Sequence, residues 1–212
     1  MPEKTTVDAV KTALEKAKQR KFKESVEIAI NLKDIDLSNP KNRIDEEVIL
    51  PKGRGGEAKI AVICSGELAI KAKKSADLVI APEQIGEYAD DKKKAKKLVT
   101  EYTFFIAEAP LMPTIGKRLG AIMGPRGKMP RPIPQSADPA PLIQNLRMTI
   151  KVRTRDRPTF HALVGSKEMD ADALAENIEA VLKRITAKLE RGKMNIKSAY
   201  VKTSMGPAVR LI

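Results

Sequence analysis

The hydrophobic period of this chain changes twice along its length, and that change limits its possible folds more than any single motif. Val26, Ile28, Ile30 and Leu32 alternate with Ser25, Glu27, Ala29 and Asn31, the pattern of a strand with one dry face and one wet face. A second such strand is expected at 44–50, beyond the polar loop Ser38-Asn-Pro-Lys-Asn42, and the two are expected to pair antiparallel. Past Pro51-Lys-Gly-Arg-Gly-Gly56 the pattern becomes short continuous apolar runs at 59–64, 77–81 and 102–107, separated by helical stretches at 67–75 and 90–101. Strands buried on both faces and alternating with helices mark a parallel sheet. After a further expected helix at 139–146 the alternation returns from Met148, with Phe160, Ala162 and Val164 on one face and Thr159, His161 and Leu163 on the other. The chain is therefore expected to leave one domain, build a small doubly wound domain, and come back to finish the first.

The ends of the chain supply the helices of that first domain. Thr5-Thr-Val-Asp8 reads as a capping box ahead of Val7, Val10, Leu14 and Ala17 at helical spacing,. The clearest helix carries Leu174, Ile178, Val181, Leu182, Ile185 and Leu189 in one stripe, opened by Asp170 and stopped near Gly192,. Two closing strands, at 198–202 and 208–211, are joined by Thr203-Ser-Met-Gly-Pro207. With 212 residues, 42% of them apolar, the chain can fill two modest cores,.

Charge narrows the partners. Forty Lys and Arg against 27 Asp and Glu leave a net charge of +13, which favours nucleic acid or another polyanion through counterion release and long-range attraction. The stretch at 115–130 concentrates the effect: Lys117, Arg118, Arg126, Lys128 and nearby Arg131 have no acid between Glu108 and Asp138, and the glycines and prolines around them predict an irregular loop,. The opening Met-Pro-Glu-Lys-Thr-Thr lacks an apolar signal region,. No run approaches the roughly 20 apolar residues that span a bilayer, so a cytoplasmic protein without a membrane partner is expected. The single cysteine, Cys64, follows Ile60-Ala-Val-Ile63 and reads as buried packing in a reducing compartment,.

Catalytic and cofactor readings fail on their own chemistry. Gly53-Arg-Gly-Gly-Glu-Ala58 matches a dinucleotide fingerprint in form but precedes a strand instead of opening a helix,. Gly127-Lys128 lacks the glycine and hydroxyl of a P-loop, whose places hold Ile122 and Met129,. Gly124-Pro-Arg-Gly127 also fits the four-residue pattern of a KH loop, which any glycine-rich turn can match,. One histidine and one cysteine cannot assemble a soft metal site, and a lone His161 in a strand is more often structural than a general base,. No enzyme, metal or cofactor is expected. With no Trp, three Tyr and four Phe, the chain is poor in the aromatic side chains that stack single-stranded bases. Folded RNA read by shape and backbone suits it better. Phe22, between Lys21 and Lys23, reads equally as an exposed contact and as a cap on the core.

Four motifs in order then bring out a resemblance that covers the whole chain. Arg20-Lys-Phe-Lys-Glu-Ser-Val-Glu27, Gly116-Lys-Arg-Leu-Gly-Ala-Ile-Met-Gly-Pro-Arg-Gly-Lys-Met-Pro130, His161-Ala-Leu-Val-Gly-Ser-Lys167 and Tyr200-Val-Lys-Thr-Ser-Met-Gly-Pro207 resemble the L-one family of large-subunit ribosomal proteins, archaeal type. The resemblance implies an α/β protein of two domains: a discontinuous α+β two-layer sandwich at 1–55 and 157–212, and an inserted Rossmann-like three-layer α/β domain at 56–156. It implies that the first grips large-subunit ribosomal RNA and forms the mobile stalk near the tRNA exit site. It also implies repression of translation through a similar structure in the protein's own messenger RNA, and proximity to exit-site tRNA. The free protein is expected to be a monomer. Carried over by motif, the RNA contacts are Lys21, Phe22, Ser25, Glu27, His161, Lys167, Thr203, Ser204, Met205 and Gly206. Ser25 and Ser204 stand where the family often has threonine, which keeps the hydroxyl. A regulator that binds RNA away from the ribosome would share the same basic surface.

Overall fold

The computed structural model describes residues 3–39, 42–154 and 157–212; Pro40 and Lys41 of the polar loop, and Arg155 and Asp156 at the expected second boundary, lie outside the described residues. The chain divides into two compact units, Met1–Gly56 with Met148–Ile212, and Glu57–Arg147. The first begins with α1 (Lys4–Glu15), β1 (Ser25–Leu32) and β2 (Asp45–Ile49). The second holds β3 (Ile60–Ile63), α2 (Gly66–Ala72), β4 (Leu78–Ile80), α3 (Gln84–Asp90), α4 (Lys92–Glu101), β5 (Phe104–Glu108), α5 (Met112–Met123), β6 (Arg131–Ile133) and α6 (Pro139–Arg147). The first is then completed by β7 (Thr149–Arg153), β8 (Thr159–Ser166), α7 (Ala171–Lys188), β9 (Ile196–Thr203) and β10 (Val209–Arg210). Helix α1 starts one residue before the expected cap: Glu3 occupies the N-cap position, and Thr5 lies inside the helix.

In the first unit β10, β9, β1 and β8 form an antiparallel sheet in that order. The dry face of β1, Val26, Ile28, Ile30 and Leu32, is buried against Val10 and Ala13 of α1 and Ile178, Val181 and Ile185 of α7. The expected pairing of β1 with β2 does not form. Both edges of β1 are taken by β8 and β9, and β2 pairs instead with β7, from Asp45 opposite Arg153 to Ile49 opposite Thr149. Charge explains this partner. Asp45 lies 3.2 Å from Lys151 and 3.7 Å from Arg153, a cross-strand arrangement of opposite charges that β1 does not offer. Glu46, on the neighbouring position, is bonded to Arg184 of α7 at 2.6 Å and lies 3.4 Å from Lys188. The Arg184 hydrogen bonds outweigh burial and hold its carboxyl below the usual range.

Because β7 belongs to the β2 ribbon, the chain re-enters the first unit at Met148, earlier than the expected 157. The Leu50 amide donates to the Met148 carbonyl at 2.9 Å, so the outgoing and returning strands are bonded to each other. Asn177 secures the outgoing segment from within the apolar stripe of α7. Fully buried, it donates to the carbonyls of Gly53 and Val164, each at 2.8 Å, and accepts from the Lys52 amide at 3.0 Å. Nearby Gly55 adopts φ +71°, and a Cβ there would lie 2.5 Å from the Ser166 amide nitrogen. Packing on β8 therefore explains the glycine at position 55. Asn177→Ala should lower stability by about 3 kcal/mol, since it strands three backbone groups where a side chain had satisfied them; urea unfolding measures the loss, and an unchanged midpoint would rule out this role.

The second unit is built on a parallel sheet in the order β4, β3, β5, β6. Ile60, Ala61, Val62 and Ile63 are all buried, as strands covered on both faces must be,. Ile85 of α3, Leu98 of α4 and Ile115 and Leu119 of α5 pack on one side, while Leu68 of α2 and Ile143 and Leu146 of α6 pack on the other. The expected irregular loop at 115–130 is mostly helix α5. Ile115, Leu119 and Met123 recur every fourth residue and are buried to 2% exposure or less; that anchoring offsets the roughly 1 kcal/mol that each of Gly116 and Gly120 costs in a helix. Only the turn after Met123 departs from regular structure. Among the described residues no helix is long and apolar enough to cross a membrane.

Candidate nucleic-acid interface

One end of the first unit's sheet gathers three connections: the segment from α1 into β1, the turn from β8 into α7, and the turn from β9 into β10. Register brings them together, because Ser25 at the start of β1 lies opposite Ser166, and Val26 lies opposite Thr203. Lys21, Phe22 and Lys23 are exposed on the first connection, Lys167 is half-buried on the second, and Met205 is exposed on the third. Phe22 is 57% and Met205 60% exposed. Large apolar side chains this open serve no core, and Phe22 stands between the exposed cations Lys21 and Lys23.

The connections are tied by polar groups. The Ser204 amide donates to the Ser25 carbonyl at 2.9 Å, and the Ser204 hydroxyl donates to Glu27 Oε1 at 3.0 Å. Lys167 Nζ reaches the carbonyls of Ala17 at 3.3 Å and Lys18 at 3.4 Å, just past the end of α1. Much of its donor capacity is thus directed inward, and Lys21 and Lys23 are the more open cations. Lys23 lies 3.0 Å from the exposed Glu168, a contact that solvent weakens and that a phosphate can replace. Glu24, flanked by these cations, is buried at 3% exposure. It was not among the expected contacts, although its spacing of four from Arg20 carries a signal: the pair lies 3.6 Å apart.

His161 is placed differently from the other expected contacts. It lies opposite Ala29, four strand residues from Ser25 and so about 13 Å along the sheet. There it is exposed on the face away from α1 and α7, in a row with Ala29 and Tyr200. On the same face Thr159 donates to Asn31 Oδ1 at 2.8 Å, and Asn31 donates to Ser198 Oγ at 2.9 Å. The geometry is an end cluster of Lys21, Phe22, Ser25, Glu27, Lys167 and the 203–206 turn, continued by an open polar sheet face that carries His161.

Gly206 has a reason of its own. Its amide closes the turn on the Thr203 carbonyl at 3.0 Å, and a Cβ on Gly206 would lie 2.3 Å from Thr203 Oγ1. Thr203 is fully buried, so the missing side chain makes room inside the protein. Glycine at this position thus has a structural reason apart from any contact with a partner. Gly206→Ala is expected to cost about 1–2 kcal/mol of stability through overpacking, and Thr203→Ala in the same chain should recover part of it. A double-mutant cycle by thermal melting checks this; strictly additive losses would contradict it.

The basic segment of the second unit divides by use. Lys128 Nζ donates to the carbonyls of Val99 at 2.6 Å and Tyr102 at 2.7 Å, closing the C-terminal end of α4. Burial, aided by Arg126, lowers its pKa. Arg126 donates to the Lys96 carbonyl at 3.1 Å, whereas Lys117 and Arg118 are exposed on α5. A nucleotide would meet a poor site at the carboxyl edge of this sheet, where strand order reverses between β3 and β5. A cavity of about 280 Å³ there is lined by Ser65, Gly66, Glu67 and Glu108. Burial works to raise the Glu108 pKa, but hydrogen bonds from Gln135 and Ser65 outweigh it and hold the carboxyl below its usual range. A carboxylate so placed repels phosphate. Nearby Cys64 is buried, and its thiol is pushed up to about 11 by burial and by Glu108.

The sequence profile described as "Ribosomal protein L1p/L10e family" matches residues 14–207. The chain belongs to that family. Relatives named large ribosomal subunit protein uL1 extend the likeness over nearly full length. That of Thermoplasma acidophilum is 60% identical over 203 residues, covering 96% of this chain and 94% of the relative. That of Methanocella arvoryzae is 54% identical over 213 residues, with 100% of each covered. The Archaeoglobus fulgidus protein is 51% identical over 207 residues, 97% of this chain and 96% of its own. This L1p/L10e chain thus has the mixed α/β elements expected of it, and its relatives carry the name of a ribosomal protein and of no enzyme.

Proposed function

We propose that the end cluster of the first unit grips a folded segment of large-subunit ribosomal RNA, and that the protein works on the cytoplasmic ribosome as its mobile stalk beside the tRNA exit site. The observation that carries this is the exposure of Phe22 and Met205 on connections braced by hydrogen bonds and flanked by Lys21 and Lys23. Apolar side chains there can pack on bases or sugars, cations can meet phosphates, and Glu27 can accept from a sugar hydroxyl or a base amino group. The names of the relatives point the same way. In this reading the two units are the family's discontinuous RNA-binding sandwich and its inserted Rossmann-like domain. Binding of a similar structure in the protein's own messenger would repress its translation. Exposed Lys117 and Arg118 would give the second unit a salt-sensitive attraction to exit-site tRNA.

Two measurements test the reading together. Mixed with large subunits stripped of their own copy, the protein should cosediment with them, and chemical probing of purified large-subunit RNA should give one compact footprint. Binding to RNA without cosedimentation would favour a regulator that acts away from the ribosome. A footprint scattered over the RNA would leave only nonspecific attraction.

A further inference from the structure

We propose that Glu24 is the positioning residue of the RNA surface, a buried carboxylate that holds all three connections in their binding shape; this rests on the RNA-binding reading of the first unit. Its carbonyl accepts from the Lys167 amide at 2.9 Å, and its Oε2 lies 3.9 Å from Lys167 Nζ. Its Oε1 accepts from the Met205 amide at 3.2 Å and lies 3.6 Å from Arg20 Nε. One side chain, 3% exposed, therefore touches the β8–α7 turn, the β9–β10 turn and its own α1–β1 segment.

The chemistry suits a clamp. A carboxylate is an acceptor only, so burial commits it to donors, and a charge-assisted bond to a backbone amide is stronger than a neutral one. The Met205 amide sits on an exposed turn, where water would otherwise take the bond and leave the turn less ordered. Glu24 lies outside the apolar core cluster, two residues along the chain from Phe22, and it bonds the amide of Met205 itself. Its main effect is thus expected on the order of the contact surface, because loops already ordered lose less freedom when RNA binds.

The test compares wild type with Glu24→Ala, Glu24→Gln, Glu24→Asp and Phe22→Ala. Affinity and dissociation rate are measured on large-subunit ribosomal RNA purified from Thermoplasma acidophilum, and amide exchange at Met205 is measured in the free protein. Glu24→Ala should exchange faster at Met205 and dissociate about tenfold faster, with an unchanged dependence on salt. Glu24→Gln, which still offers a carbonyl oxygen, should recover most of both. Glu24→Asp, which keeps the charge but falls one methylene short, should resemble alanine and carries the test if the alanine variant does not fold. Wild-type exchange and dissociation in Glu24→Asp would overturn the proposal, as would equal losses in Glu24→Gln and Glu24→Ala. Wild-type binding by Phe22→Ala would instead remove the RNA-binding reading, while exchange at Met205 would still decide whether Glu24 holds the turn.

Discussion

Replacing Phe22 and Met205 together by alanine is expected to weaken binding to large-subunit ribosomal RNA about a hundredfold while leaving the melting temperature nearly unchanged. An aromatic ring stacked on a base contributes roughly 1–3 kcal/mol, burying a methionine side chain contributes roughly 1.5–3 kcal/mol, and about 1.4 kcal/mol is a factor of ten. Two such contacts therefore reach the hundredfold range. Stability should hardly respond because both side chains are more than half exposed in the free protein. No cation is lost, so the dependence of affinity on salt should keep its slope. Filter binding across a salt series, with melting curves on the same samples, measures all three. Wild-type affinity in the double variant would mean that the exposed apolar pair does not meet RNA.

Removing the second unit should leave a folded protein that still prefers its RNA, provided the cut respects β7. Joining 1–56 to 148–212 through a short Gly/Ser linker keeps β2 bonded to β7 and keeps Phe22, Lys167 and Met205. The linker adds little entropic cost, since loop closure depends only weakly on length. Joining 1–55 to 157–212 should fail. It strips β7 away and uncovers Val48 and Ile44, which are buried at 4% and 1% exposure, so stability should fall by several kcal/mol. Circular dichroism and urea unfolding separate the two chains. Equal stability of both would show that the β2–β7 ribbon is dispensable.

That difference in boundaries shows what the sequence could and could not convey. Periodicity found β1, β8 and α7, because each buries one face of a long element and leaves the other wet. It also found the buried strands β3 and β5, whose neighbours cover them on both sides. Pairing was harder. Strand β2 has the right period for β1, and only the charges of Asp45 against Lys151 and Arg153 reveal its partner across a long stretch of sequence. Helix α5 was hidden by composition: Gly116, Gly120 and Gly124 signal a loop, while the spacing of Ile115, Leu119 and Met123 signals a buried helical face, and burial prevails.

The candidate site was legible unevenly, for a related reason. Motifs identified exposed residues such as Phe22 and Met205, whose presence no core position would explain. They missed Glu24, because an acid among Arg20, Lys21 and Lys23 looks like a solvated charge until its burial and its bond to the Met205 amide are known. Spacing likewise could not separate His161 from the end cluster, since that distance depends on the register of β8 against β1.

Hydrogen exchange of the intact protein with and without purified large-subunit RNA tests the central claim most directly. Protection is expected to concentrate at 20–27, 166–168 and 203–206, with a weaker effect near 161 and little in Glu57–Arg147. Protection confined to the second unit, around Lys117 and Arg118, with the three connections of the first unit unchanged, would contradict it.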